Sequence, residues 1–183
     1  MTYKILLHVC CAPDATVPWP ILIDEGHNVA GYFYSSNIHP RSEFSRRADD
    51  VRALAKILAK DCIVDAYMPV EWLDKVRGVL LSPEGGPRCA ACFRAQMEGA
   101  AKAAVSGGFD ALSTTLSISP HKDVGVINAV GEQVCRGYGL KWFFRVWRKN
   151  GGFALSVQRS AEMGLYRQRY CGCVLSIRKD GTE

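Results

Sequence analysis

Short apolar segments alternate with longer amphipathic ones along the chain. Short runs rich in apolar residues, typical of buried strands, occupy 3–9, 28–34, 62–66, 109–115 and 141–147. Helix-forming patterns occupy 15–24, 42–60, 69–81, 89–105, 124–137 and 153–164. This alternation predicts an α/β fold, with a mostly parallel five-stranded sheet and helices on both faces. No repeat or linker interrupts the pattern, so residues 1–183 are interpreted as one domain.

Three loops rich in polar residues or cysteine follow predicted strands. Cys10 and Cys11 follow the first strand, residues 37–39 follow the second and residues 117–122 follow the fourth. In an open parallel sheet, ligands bind beyond the carboxyl ends of the strands, near the switch in strand order. We therefore expect these loops to share one rim, which the cysteines at 89–92 and 171–173 could also reach.

Composition and charge narrow the class of protein. The chain is 48% hydrophobic and 22% charged, as globular domains are. No apolar run has the length of a membrane span, and residues 5–9 are too short for the core of a secretion signal. We therefore expect a cytoplasmic protein without a membrane partner. The net charge of +5 is compatible with an RNA partner.

Basic and aromatic residues are interleaved in the last third of the chain. Arginine with stacking aromatics can hold unstacked RNA bases, although such runs are more often a solvated face with core aromatics. The residues are Lys141, Arg145, Arg148, Lys149, Arg159, Arg167, Arg169, Arg178 and Lys179, with Trp142, Trp147, Tyr166 and Tyr170.

Six of the eight cysteines form three close pairs, at 10–11, 89–92 and 171–173. Thiolates select iron–sulfur clusters, zinc or copper(I), and four complete either a cluster or a zinc site. The spacing leaves open an iron–sulfur cluster or a structural zinc site made of Cys89, Cys92, Cys171 and Cys173. In a reducing compartment, metal or redox chemistry is favoured over disulfide bonds, although paired thiols can also form disulfides. Cys62 and Cys135 stand alone in apolar stretches and are interpreted as core residues.

The pair at 10–11 is in excess of a four-thiolate site. Adjacent side chains of an extended chain point to opposite sides, so we expect Cys10 and Cys11 to face different partners. Both could also be buried core thiols. Asp14 could be an oxygen ligand, a proton donor or, as its spacing favours, a helix N-cap.

Polar residues in the same loops could take part in catalysis or binding. His39 and His121 could act as general acids or brace rigid loops, whereas His8 is interpreted as a core histidine. Hydroxyl groups near the end of the fourth strand could bind phosphate or a polar substrate, or could bond only within the loop: Thr114, Thr115, Ser117 and Ser119.

Five stretches together resemble the QueH-type epoxyqueuosine reductases, in matching order. They are LLHVCCAPD (6–14), YFYSSNIHP (32–40), GGPRCAACFRAQ (85–96), STTLSISPHKD (113–123) and GLYRQRYCGCVLS (164–176). The resemblance implies reduction of epoxyqueuosine to queuosine at the wobble position of certain tRNA anticodons. It also implies an adenine-nucleotide-hydrolase-like fold (PP-loop-related, HUP-type) and an iron–sulfur cluster, without cobalamin.

With this resemblance, four of the six paired cysteines are expected to hold a 4Fe-4S cluster. The remaining thiolates, with Asp14, would hold a second, mononuclear iron or face the substrate, which gives Cys10 and Cys11 catalytic roles. A proton would come from Asp14, His39 or His121. The expected substrate-binding residues are Asn37, Thr114, Thr115, Ser119, Lys122, Tyr166, Arg167 and Tyr170. An external donor such as a ferredoxin or flavodoxin would supply electrons.

Two other classes of function compete with this interpretation. A zinc-stabilised RNA-binding module without redox activity would use the same cysteines. A PP-loop nucleotide-dependent transferase is disfavoured, because Cys-Cys-Ala-Pro replaces the glycine- and serine-rich phosphate loop after the first strand.

Overall fold

The computed structural model describes residues 1–34 and 36–177, and one parallel sheet forms its centre. The strand order is β3-β2-β1-β4-β5, and every neighbouring pair is parallel. The strands are β1 (Lys4–His8), β2 (Asn28–Phe33), β3 (Cys62–Val64), β4 (Ala111–Thr114) and β5 (Lys141–Trp142). The predicted five-stranded α/β sheet is therefore confirmed.

Helices connect the strands, as parallel pairing requires. They are α1 (Ala12–Ala15), α2 (Pro18–Asp24), α3 (Arg41–Ile57), α4 (Pro69–Val76), α5 (Pro87–Ser106), α6 (Val124–Tyr138) and α7 (Gly152–Glu162). Single 3₁₀ turns lie at Arg77–Val79, Leu116–Ile118, Lys149–Gly151 and Val174–Ser176. Within the described ranges, no helix is both long enough and apolar enough to cross a membrane.

The two faces of the sheet carry separate hydrophobic cores, and β1 contributes to both. Ile5 and Leu7 point into the core with α1, α2 and α3, while Leu6 points into the core with α4, α5 and α6. All three side chains are fully buried. This alternation explains why the first strand reads as a continuous apolar run, and it confirms helices on both faces.

Three predicted elements differ from those observed. The predicted helix at 15–24 is two helices, because Pro18 takes the first position of a new helix, α2, where its missing N–H costs nothing. The helix predicted at 69–81 ends at Val76 and continues as a 3₁₀ turn. The predicted strand 141–147 pairs with β4 only through Lys141 and Trp142, although β4 continues to Thr114. The chain beyond them bonds with the loop after β4, because Arg145 O and Trp147 N–H both bond with the hydroxyl of Ser117.

Asp14 is not a helix N-cap, so that interpretation of its role is wrong. Cys11 occupies the N-cap position of α1, and Asp14 lies inside the helix with 4% of its surface exposed. Its carboxylate is therefore free of the capping role and faces the cysteine pair.

Candidate functional site

The cysteine pair lies where the strand order of the sheet reverses. β1 pairs with β2 on one side and with β4 on the other, so loops after β1 and β4 flank the switch point. The backbone N–H of Cys10 donates to Thr115 Oγ1 at 3.1 Å, and Thr115 N–H donates to His8 O at 2.9 Å. The expectation that the loops after the first and fourth strands share a rim is confirmed.

Cys10, Cys11 and Asp14 form a group that could hold a metal ion. One ligand atom from each lies within 4.8 Å of the others, and Cys10 Sγ lies 3.3 Å from Asp14 Oδ2. The expectation that the two cysteines face different partners stays a prediction, and their sulfur atoms lie close enough to share one ion. The chain is extended at Cys11 but enters α1 immediately afterwards, and this turn brings Asp14 back beside the pair.

Hydrogen-bond donors surround the sulfurs of this site. Thr115 Oγ1 donates to Cys10 Sγ at 3.2 Å, and Gln168 Nε2 donates to Cys11 Sγ at 3.0 Å. These bonds favour thiolate ligands, because donors stabilise the ionised sulfur. Gln168 connects the segment before the CGC motif (171–173) to the loop after β1.

The CxxC pair occupies the start of α5. Cys89 lies in the first turn and accepts a hydrogen bond from Gly85 N–H at 3.2 Å. Cys92 lies deeper and is 8% exposed. Its sulfur accepts bonds from Trp72 Nε1 and Gln96 Nε2, both at 3.2 Å. Burial is the largest influence on its pKa and raises the pKa of Cys92 to about 12.

The CGC loop is fastened to α3 and to the loop after β2. Arg47 donates to Cys171 O at 3.0 Å and to Tyr170 O at 3.1 Å, while His39 N–H donates to Gly172 O at 2.8 Å. Arg47 is 2% exposed and paired with Glu43 at 2.7 Å. A buried arginine thus holds the third cysteine pair beside the other loops.

A cleft of about 510 Å³ opens over this rim. Nine residues singled out from the sequence line it: Asp14, Cys89, Ser119, His121, Lys122, Arg167, Arg169, Tyr170 and Cys171. Its other lining residues are Glu84, Gly85, Phe93, Asp123, Val126, Phe153, Gln168 and Ser176. The cleft is therefore lined by polar, charged and aromatic side chains together with candidate metal ligands.

Among the predicted site residues outside the cleft lining, His39 and Tyr166 contact the surrounding structure and Asn37 is buried. His39 packs against Trp72 with ring centroids 5.4 Å apart, its carbonyl accepts the hydroxyl of Tyr170, and burial lowers its pKa. Asn37 is 6% exposed. Tyr166 donates from its hydroxyl to Glu43 Oε2 at 3.2 Å.

The predicted threonines connect the site to the sheet. Thr114 Oγ1 bonds with the Nδ1 of the fully buried His8 at 2.9 Å and accepts from Leu116 N–H at 3.1 Å. Burial and the positive charge of Lys122 lower the pKa of His8 to about 3, which keeps it neutral. The interpretation of His8 as a core histidine is confirmed, and Thr114 lies beneath the rim.

Several basic residues of the last third serve structural bonds. Arg148 donates to the carbonyls of Ser119 and Lys122, both at 2.9 Å, and so holds the loop after β4. Arg145 is paired with Glu25 at 2.7 Å. Only some of the basic residues between 141 and 179 are thus available to a partner. Arg178 and Lys179 lie outside the described residues.

The charge state of the site follows from its crowded sulfurs. Hydrogen bonding with Cys11 and burial raise the pKa of Cys10 well above its usual value. Burial lowers the pKa of Lys122, but the interaction of its ammonium group with the ionised forms of Cys171 and Cys10 and with Asp14 raises it overall, so Lys122 would stabilise these sulfurs once they lose their protons. Cys10 therefore holds its proton until a cation displaces it. Each of the eight cysteines, all within the described part of the chain, is a free thiol.

Sequence reasoning missed three residues that donate to sulfur. Gln168 lies inside the stretch at 164–176 that carries the family resemblance, but its contact with Cys11, 157 positions away, does not follow from any local spacing. Gln96 lies one helical turn after Cys92, at the i+4 spacing that brings side chains together. Trp72 carried no such signal, because its contact arises from the packing of α4 on α5.

Comparison with known proteins agrees with this geometry. The family model for epoxyqueuosine reductase QueH matches residues 5–179. A Streptococcus pyogenes protein named epoxyqueuosine reductase QueH is 38% identical over 98% of this chain and 72% of its own length. The proteins of that name from Staphylococcus epidermidis and Thermotoga maritima are 36% and 35% identical, over 98% and 94% of this chain and 79% and 90% of theirs. The chain belongs to the epoxyqueuosine reductase QueH family.

Proposed function

We propose that this protein reduces the epoxide of epoxyqueuosine, at the wobble position of tRNA anticodons, to give queuosine. The observation that carries the proposal is the group of Cys10, Cys11 and Asp14 at the switch point of the sheet. Asp14 also lines a cleft that Cys89 and Cys171 line from other elements. Relatives at 35–38% identity carry the reductase name over nearly the whole chain.

The donor set fits an iron–sulfur cofactor. An iron–sulfur cluster takes four soft thiolate ligands, and six cysteines surround this site. N–H and O–H groups donate to the sulfurs of four of them, which would stabilise bound thiolates. We propose that four of the six cysteines hold a 4Fe-4S cluster and that the rest, with Asp14, hold a mononuclear iron. When bound, these groups would supply single electrons and a Lewis acid for the epoxide oxygen.

The reaction consumes two electrons and two protons and releases the epoxide oxygen as water. An external donor such as a ferredoxin or flavodoxin would provide the electrons. Asp14 and His121 both line the cleft, so these side chains are positioned to deliver protons to the leaving oxygen. His39 lies outside the lining, and its orientation of Tyr170 and Gly172 gives it a supporting part in this proposal.

The cleft also carries groups suited to an unstacked, charged nucleotide. Arg167, Lys122 and Tyr170 line it, and arginine with tyrosine holds RNA phosphates and bases. Ser119 would bond the modified base from the same wall. The remaining predicted residues lie outside the lining and would hold the lining side chains in place. They are Asn37, Thr114, Thr115 and Tyr166.

The fold supports a finer classification. The order β3-β2-β1-β4-β5 with all strands parallel is compatible with an adenine-nucleotide-hydrolase-like, HUP-type fold related to PP-loop proteins. We also propose a single metalloenzyme domain across residues 1–183 and a cytoplasmic location, where the tRNA substrate and reduced thiols occur together.

The test combines metal analysis with a product assay. Protein purified without oxygen is expected to be brown, with acid-labile sulfide and iron in excess of sulfide. It should convert epoxyqueuosine in tRNA to queuosine, detected by mass spectrometry of digested nucleosides with a chemical reductant present. Cys10→Ala should lose turnover, whereas Cys62→Ala, with the same atoms removed from β3, should retain it.

Two results would refute the proposal. One is a colourless protein with about one zinc per chain that resists iron–sulfur reconstitution, which leaves a structural zinc site. The other is a Cys10→Ala protein with unchanged iron content and turnover.

A further inference from the structure

Two buried N–H donors meet at the sulfur of Cys92. Trp72 Nε1 and Gln96 Nε2 each donate to Cys92 Sγ at 3.2 Å. Trp72 lies fully buried in α4, and Gln96 lies in α5 with 4% of its surface exposed. Two separate helices therefore aim donors at one sulfur atom.

This arrangement suits a thiolate better than a thiol. A neutral thiol sulfur is a weak acceptor, so it compensates poorly for the desolvation of a buried indole N–H. Hydrogen bonds to an ionised acceptor are about twice as strong as those between neutral groups. Two donors on one buried sulfur thus match the charge of a metal-bound Cys92.

Trp19 shows that burial of an indole does not require such a bond here. It is also fully buried, but it lies in the opposite core, against Gly31. Its Nε1 has no hydrogen-bond partner within residues 1–34 and 36–177. The bond from Trp72 is therefore specific to its place beside Cys92, and Trp19 offers a matched position without one.

We propose that Trp72 and Gln96 are positioning residues that hold Cys92 as a thiolate ligand and set the reduction potential of the centre. Hydrogen bonds to ligand sulfurs withdraw negative charge and so raise the potential of an iron–sulfur cluster. The donors would thereby make the centre easier for an external electron donor to reduce. This inference rests on the proposed function, because it requires a cluster at the cysteines.

The experiment is an anaerobic redox titration of cluster-loaded protein, followed by visible absorption and electron paramagnetic resonance. Trp72→Phe keeps an aromatic ring and removes the N–H, so its potential should be more negative than that of the wild type. Gln96→Leu should shift the potential in the same direction. Trp19→Phe removes the same atoms from the other core and should leave the potential unchanged.

The outcomes separate this inference from the proposed function. Iron and sulfide contents equal to the wild type, with an unshifted potential in Trp72→Phe, would overturn the inference and leave the reductase proposal intact. If Trp72→Phe fails to fold or load, the potential of Gln96→Leu decides in the same way. A wild-type protein that holds no cluster overturns both.

Discussion

Gly172 separates the two cysteines of the CGC motif in a conformation that favours glycine. Its φ is +131°, and a Cβ atom there would lie 3.2 Å from Ile38 and 3.3 Å from the guanidinium of Arg47. Gly172→Ala should lower the free energy of unfolding by about 1–3 kcal/mol, because the backbone must strain or Arg47 must move. Urea denaturation measured by circular dichroism checks this.

Gly137 provides the control for that substitution. It lies in α6 with ordinary helical backbone and nothing within 4 Å of the added Cβ. Gly137→Ala should raise stability by up to about 1 kcal/mol, since alanine favours helix. Equal stability of Gly172→Ala and wild type would show that the motif does not need glycine for its backbone.

Cys135 gives the protein a specific sensitivity to alkali. It is 1% exposed in α6, and burial raises its pKa from 9.0 to about 12. The folded state therefore keeps the thiol protonated, and this contribution to stability is complete below pH 9 and is lost as pH rises towards 12. Removing the thiol should reduce the alkaline slope of the unfolding free energy by at most about 1.4 kcal/mol per pH unit.

The measurement is chemical denaturation of wild type and Cys135→Ala at several pH values from 7 to 11. The cavity left by alanine lowers stability equally at every pH, so only the difference in slope reports the thiol. Parallel curves for the two proteins above pH 9 would contradict the assignment of a buried, protonated thiol.

At the scale of elements, α3 links the candidate site to the surface. Arg46 is exposed and stacks over Tyr166 at 3.5 Å, next to the buried Arg47 that holds Tyr170. An arginine on a tyrosine ring presents both a charge for phosphate and an apolar face for a base. If the proposed function holds, this end of α3 would be a suitable contact for the anticodon loop.

Arg46→Ala should weaken binding of an anticodon stem-loop and reduce the slope of log K against log salt by about 1. Fluorescence anisotropy at several salt concentrations provides the measurement. Arg136→Ala removes the same charge from α6, on the other face of the sheet, where Arg136 is paired with Glu132. If both variants lose the same affinity, only the net charge matters and α3 is not a contact.

Some helices and strands could be predicted from their own residues, whereas others depended on the elements beside them. β1 was predictable, because a continuous apolar run flanked by turn-forming residues fits a central parallel strand. β5 was overestimated, since residues 143–147 are apolar enough for a strand, but Arg145 and Trp147 bond with Ser117 in the loop after β4 and not with β4 itself. The split at Pro18 was only partly predictable, because proline both ends one helix and starts the next.

At the scale of the whole molecule, the sequence predicted which loops lie together at the carboxyl edge of the sheet. It did not predict the side-chain contacts between those loops and the helices. The carboxyl ends of parallel strands meet at one edge, so the loops bearing Cys10 and Ser119 could be placed together from the sequence. The bond from Trp72 to Cys92 depends on how two helices pack, and the approach of Gln168 to Cys11 spans 157 positions. Neither follows from local spacing, so the cysteines could be predicted from the sequence, but Trp72 and Gln168, which donate to their sulfurs, could not.

The candidate centre joins three distant parts of the chain, so its loss should affect the whole fold. With the proposed cluster bound, it would connect the end of β1, the first turn of α5 and the loop with the CGC motif. Removal of metal by a chelator without oxygen should cost about 3 kcal/mol and lower Tm by about 6–12 °C. Trypsin should then cleave faster after the exposed Arg169, as mass spectrometry would show. A Cys10→Ala/Cys89→Ala protein, which lacks ligands from two of these parts, should show no change with the chelator. Identical Tm and cleavage in loaded and stripped wild type would mean that no metal joins these segments.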